Sequence, residues 1–214
     1  MHRHTMLLLL AVAAIVTLAM TVGTASARRF EVSDQRFRAV WVNNPMVFET
    51  QGLGKAICRV TMEGSFHSRT LSKVSGQLIG YVTKAAIDTV NCGTTESVRP
   101  ATILTETLPW HVAYAGFMGT LPRITKINVT LIGFSYRLEI VGTRCLYTST
   151  VTEPARLEFE VNETTGQVSV LGVEPSAAIR GQAGCLVPTT TLSGGGAVTV
   201  LGSETTKITV RLVQ

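Results

Sequence analysis

The sequence predicts an all-β protein, an antiparallel β-sandwich or flattened barrel, preceded by a signal helix that is cleaved on export. Three observations carry this prediction. Apolar residues recur at every second position through most of the chain after residue 27, the periodicity of half-buried strands. Charged residues make up only 15% of the chain, while threonine and valine are frequent, which suits strands over solvent-facing helices. Four cysteines, an even number, follow an N-terminal segment laid out as a secretory signal.

That segment opens on Met1-His-Arg-His, continues through an apolar run from Leu7 to Met20, and closes on the small-residue site Ala25-Ser26-Ala27. Cleavage there starts the mature chain at Arg28. The apolar run is shorter than the ~20 residues of a membrane span, although an uncleaved anchor is the alternative. No cysteine follows the run, so a lipoprotein is not expected, and Arg28-Arg29 lie after the apolar stretch instead of before it, unlike a twin-arginine signal. No later segment is apolar enough to span a bilayer. The expected location is secreted or at the cell surface. The expected organisation is a signal peptide at 1–27, a peripheral N-terminal segment at 28–56, and a disulfide-bonded β domain at 57–214.

Within the peripheral segment a strand is expected at Phe37–Val42. Next, Cys58, Val60, Met62, Gly64 and Phe66 share one parity and Arg59, Thr61, Glu63, Ser65 and His67 the other, a strand with one wet face. Residues 68–88 read as a turn or short helix near 68–75, then a strand from 78. From Ile127 to Val141 the pattern changes phase. Ile127, Val129 and Leu131 share a face, while Ile132, Phe134, Tyr136, Leu138 and Ile140 take the opposite parity, so a bulge or bend is expected at Leu131–Gly133. Leu157, Phe159 and Val161, the turn cluster Asn162–Gly166, and Val168 and Val170 read as a hairpin over 156–171. Val198 and Val200, the turn at 202–205, and Ile208, Val210 and Leu212 read as a C-terminal hairpin whose last strand is paired in the sheet. Loops are expected at Asn43-Asn44-Pro45, at 91–101 and at the glycine run 194–196.

Cys58, Cys92, Cys145 and Cys185 allow three pairings, of which the sequential one, Cys58–Cys92 and Cys145–Cys185, links strands near in the chain and is expected. No C-x-x-C occurs, and the ligand spacing of a structural zinc site is missing. From Ile57 to Leu212 the layout resembles a group of small exported actinobacterial proteins of unknown function. The resemblance is carried by Cys58, Cys92, Leu108-Pro109-Trp110, Cys145, Asn162–Gly166 and Cys185, with Gly64-Ser-Phe-His-Ser-Arg69 and Leu78-Ile-Gly-Tyr81. It implies a shared scaffold and favours the same cysteine pairing, and it brings no activity with it.

The sequence lacks G-x-S-x-G, H-E-x-x-H, P-loop and G-x-G-x-x-G motifs. The net charge is +5 for the full chain and +4 once residues 1–27, with Arg3, are removed, and the excess sits largely at Arg28, Arg29, Arg36 and Arg38, a solvated terminus or a contact for an anionic surface. No basic stripe interleaved with aromatics points to nucleic acid. The weak binding candidates are His67, Glu106, Trp110, His111 and Tyr114. Glu106 falls on an apolar parity, where a carboxylate must be paired, neutralised or at a rim. His67 and His111 fall on wet parities and would meet if their strands were neighbours, as a metal pair or an acid and base. Exposed histidines on strand faces equally need no function. Trp110 reads as a plug, and Tyr114 as core or pocket wall. The expected function is a non-catalytic binding or structural module of the cell envelope or exterior, needing no cofactor or metal, with an anionic envelope polymer or a small apolar ligand as partner. The alternative is a secreted hydrolase or metal-dependent enzyme using His67, Glu106 and His111.

Overall fold

The computed structural model describes residues 29–95, 97–164, 167–175 and 177–213, of which 164, 167–175, 177 and 178 are described by backbone alone. The expected signal segment at 1–27, and residues 165 and 166 of the expected turn, lie outside the described residues. Fifteen strands and one 3₁₀ turn follow in order: β1 Arg29–Val32, β2 Arg36–Thr50, β3 Gly54–Phe66, β4 Thr70–Leu71, β5 Leu78–Thr94, β6 Thr102–Ile103, the turn Thr105–Thr107, β7 Trp110–Met118, β8 Lys126–Ile132, β9 Ser135–Ile140, β10 Thr143–Thr148, β11 Ala155–Thr164, β12 Gln167–Pro175, β13 Ala177–Arg180, β14 Thr189–Val200 and β15 Thr209–Val213. The protein is all-β and antiparallel.

Eight strands, β14-β2-β3-β5-β7-β8-β11-β12, run side by side, and β12 meets β14 again at Val173↔Gly196. The ring is therefore nearly closed, a flattened barrel, which limits the open sheet edges that long apolar strands would otherwise expose. Inward-facing Phe37, Ala39, Trp41, Met62, Val82, Val112, Leu157 and Val198 fill its lumen. The alternation read from the sequence maps onto this lumen directly: Val60, Met62 and Gly64 are inside, and Arg59 and His67 are outside.

One end of the barrel continues into a small sandwich. Beyond Trp41, β2 runs on through Met46–Thr50 beside the start of β3 and the start of β14. A separate sheet, β10-β9-β6, packs over these extensions. Phe48 meets Tyr136 edge-on at 4.9 Å, and the Tyr136 hydroxyl hydrogen-bonds to that of Thr190. The chain enters this sheet at the phase change expected near Gly133. There β8 ends, Gly133 turns with φ +90°, and β9 begins on the other layer, so the two parities face two different cores.

The junction is marked by bulges. The registers of β2 with β3 and of β14 with β2 both slip here, between Trp41 and Met46 and between Ser193 and Ala197. The glycine run serves this slip. A Cβ at Gly194 would stand 2.4 Å from the Pro45 carbonyl oxygen, and one at Gly196 would stand 2.9 Å from the Trp41 ring. Asn43–Pro45 and 194–196 are thus bulges within long strands, not the expected loops, because turn-type residues also suit a strand that must bend against a neighbour. Likewise β5 extends to Thr94, into the stretch expected as the 91–101 loop.

Both disulfides lie at the sandwich end and pair sequentially. Cys58–Cys92 ties β3 to β5 with Cα atoms 4.3 Å apart, and Cys145–Cys185 ties β10 to the segment after β13 with Cα atoms 5.4 Å apart.

The opposite mouth is covered by three strands, β15-β1-β4. They place Val32, Leu71 and Val210, with Ile208 just before β15, over Ile79, Ile127, Val129 and Phe159. Two expectations change here. The segment 28–56 is not peripheral. Its strand β2 is paired on both edges, with Trp41, Met46 and Phe48 buried, and Phe30 of β1 is fully buried. Its charges had suggested an outlying arm, but they alternate with core residues. The C-terminal hairpin turns as expected, with Val200 N–H donating to the Thr206 carbonyl and Thr199 bridging Lys207. From there β15 departs from β14 and pairs with β12 and β1. The free edge of β14 is taken by barrel closure, so the last strand joins the mouth.

Candidate functional site

The mouth carries a cleft of about 460 Å³ lined by Arg29, His67, Ser68, Thr70, Leu71, Ser72, Val74, Gln77, Leu78 and Ile79. Its wall is the turn segment between β3 and β5. Two short hydrogen-bonded turns shape that wall. Thr70 N–H donates to the Ser68 hydroxyl oxygen at 3.1 Å, and Val74 N–H donates to the Ser72 hydroxyl oxygen at 3.2 Å. Each serine oxygen is held by the backbone, and its own O–H remains free to donate to a ligand. The far side of the segment is anchored to β7, where Gly76 N–H donates to the Tyr114 carbonyl at 2.7 Å and Tyr114 N–H to that of Gln77 at 2.9 Å.

The charge of the cleft is one-sided. Arg29 contributes a guanidinium, and among the described residues neither it nor the Gln77 side chain has a protein partner; no carboxylate is in the lining. Guanidinium, amide and hydroxyl donors converge with no competing acid. That set suits an anionic, acceptor-rich ligand. Next to it, Glu31 holds Arg211 at 2.6 Å and lies 4.0 Å from Arg69, so the mouth carries further cations, partly neutralised.

His67 and His111 do not meet. β5 intervenes between β3 and β7, and its Tyr81 stands between the two rings, with centroids 4.6 Å from His67 and 5.1 Å from His111. Tyr81 is placed by close contact between β5 and its neighbour β3. A Cβ at Gly64 would come within 2.0 Å of the Tyr81 carbonyl oxygen, and one at Gly80 within 2.5 Å of that of Ser65. His67 is exposed, Tyr81 and His111 are half-buried, and His111 Nδ1 is buried with no hydrogen-bond partner.

Glu106 is not on a strand face. It sits exposed in the 3₁₀ turn, because the strand of β7 starts only at Trp110, and makes no hydrogen bond or ion pair among the described residues. Trp110 is fully buried at the junction, its Nε1–H donating to Thr107 Oγ1 at 2.8 Å and its ring meeting Phe134 edge-on at 4.9 Å. Tyr114 is buried against Phe30 with centroids 6.0 Å apart, and burial raises its phenol above the usual tyrosine range. The five candidates therefore separate into an outer ring row (His67, His111), two core residues (Trp110, Tyr114) and one exposed carboxylate (Glu106). Among the described residues, no three His, Cys, Asp or Glu side chains form a group that could hold a metal ion.

Of the cleft residues, the sequence points to His67 and, as part of the basic N-terminal segment, to Arg29, but not to Ser68, Thr70, Ser72 or Gln77. The alternating Ser68-Arg-Thr-Leu-Ser72 was the available signal, since hydroxyls at every second position of a turn-rich segment line one side of it. No family profile, no curated protein and no solved structure matches the chain.

Proposed function

We propose that this chain is a non-catalytic binding module of the cell exterior or envelope, and that it binds an anionic polymer in the cleft at the barrel mouth. The observation that carries this reading is the donor set of the cleft: Arg29, Gln77, Ser68, Thr70 and Ser72 with no carboxylate among them. Two disulfides support an oxidising compartment. The +5 net charge supports attraction to a polyanion.

A small apolar ligand in the lumen is less well supported. The two apolar hollows described there hold about 30 Å³ each, room for a water molecule and far below the ~300 Å³ of a ligand pocket. The hydrolase reading needs His67, Glu106 and His111 to act together, and their separation on three different local structures gives it no geometric support.

Calorimetric titration with polygalacturonate, poly(glycerol phosphate) and neutral dextran tests the proposal. Binding of at least one polyanion, weakening as salt rises and weakened by Arg29→Ala, is the expected result. Equal binding to dextran, or no effect of Arg29→Ala, contradicts it.

A further inference from the structure

We infer that the polymer is an acidic glycan whose pyranose rings lie on the row His67–Tyr81–His111. This rests on the cleft being the binding site and names the chemistry of its ligand. His67 belongs to both features: it lines the cleft and is the first ring of the row. Cleft and row are therefore one continuous surface.

The row is built by strand spacing. Three successive elements, the end of β3, β5 and β7, each present one ring on the wet face of the barrel, with Tyr81 paired to His111 in the β5–β7 register. Neighbouring strands lie ~4.8 Å apart, which sets the 4.6 and 5.1 Å ring separations. Tyr81 offers an apolar ring body, and its hydroxyl makes no hydrogen bond among the described residues.

A pyranose presents what this surface lacks. Its C–H face lies on π-systems, its hydroxyls accept from and donate to flanking polar groups, and a uronate carboxylate answers Arg29 and the serine hydroxyls. A glycerol-phosphate chain supplies the anions but has no ring face to lay on Tyr81. The row and the cleft together select the sugar, while the cleft alone selects only the charge.

The test uses oligogalacturonate and poly(glycerol phosphate) against the wild type, Tyr81→Ala, Tyr81→Phe and Arg29→Ala, with thermal unfolding of every variant. Tyr81→Ala should weaken oligogalacturonate at least about tenfold, and Tyr81→Phe, which keeps the ring, by less than about threefold. Any affinity for poly(glycerol phosphate) should not respond to Tyr81→Ala. If Tyr81→Ala unfolds the protein, the pair His67→Ala with His111→Ala removes the two flanking rings and carries the same expectation. Unchanged oligogalacturonate affinity in a folded ring variant overturns the glycan assignment, as does binding of poly(glycerol phosphate) with none of oligogalacturonate. Insensitivity of all binding to Arg29→Ala overturns the cleft reading itself.

Discussion

The two ends of the barrel are built on opposite terms. At the sandwich end, two disulfides and a stack of buried rings, Trp110, Phe134, Tyr136 and Tyr147, hold the layers together, and the buried phenols have partners: Tyr136 with Thr190, and Tyr147 with the Val187 carbonyl at 2.9 Å. At the mouth, three short strands cover the lumen with no covalent tie among the described residues, and the Arg29 and Gln77 side chains of the cleft have no protein partner among the described residues. Satisfied polar groups in a packed core specify structure, whereas unsatisfied donors at a concave surface are available for a ligand. One end stabilises the molecule so that the other can carry unpaired donors.

The comparison breaks most sharply at Trp110. Trp110→Ala removes a fully buried indole between barrel and sandwich and should destabilise by about 3–5 kcal/mol in denaturant unfolding, through the cavity it leaves. A loss under about 1 kcal/mol would mean that the ring stack does not hold the junction. Next come the disulfides. The bridged residues are 34 and 40 apart in sequence, so replacing either pair by alanine should lower stability by roughly 3–4 kcal/mol in the chain-entropy account. Near-wild-type stability without both bridges would remove the basis for contrasting the ends.

Alkaline pH sharpens the contrast. Burial pushes the Tyr147 hydroxyl up to about 12, and Tyr136 is raised also by burial. An unfolded tyrosine titrates near ~10, so between pH ~10 and ~12 the unfolded chain loses protons that the folded protein keeps. Stability from these groups is complete below pH ~10 and falls as pH rises towards 12. Denaturant midpoints between pH 8 and 12 should be flat and then fall, and Tyr147→Phe should reduce the fall. The smallest effect belongs to the wet face. His67→Ala with His111→Ala should change stability by less than about 0.5 kcal/mol, since His67 is exposed and His111 half-buried on the outer wall.

Period-two alternation made most strands legible, as did the parity switch at Gly133, which announced the change of layer. Cysteine order made the pairing legible. What stayed hidden depended on neighbours. Gly194–Gly196 and Asn43–Pro45 look like loops one at a time, and only their mutual contact shows them to be matched bulges. Parity placed His67 and His111 correctly on the outside, yet strand order put Tyr81 between them, and order is not encoded in parity. Glu106 was misplaced because the alternation from Ile103 to Tyr114 continues through a 3₁₀ turn that breaks the strand. The cleft is hidden in the sequence because most of its residues are ordinary hydroxyls in a turn, made notable only where the pairing of β1 with β4 brings Arg29, about forty positions earlier in the chain, beside them.

The central claim is that the mouth, and not the stapled end, receives the ligand. Backbone amide chemical shifts followed by NMR during titration with oligogalacturonate test it directly. The largest changes are expected at Ser68, Thr70, Ser72, Gln77 and Tyr81, with 134–147 unmoved. Changes centred on 134–147, or none at millimolar ligand, would contradict it.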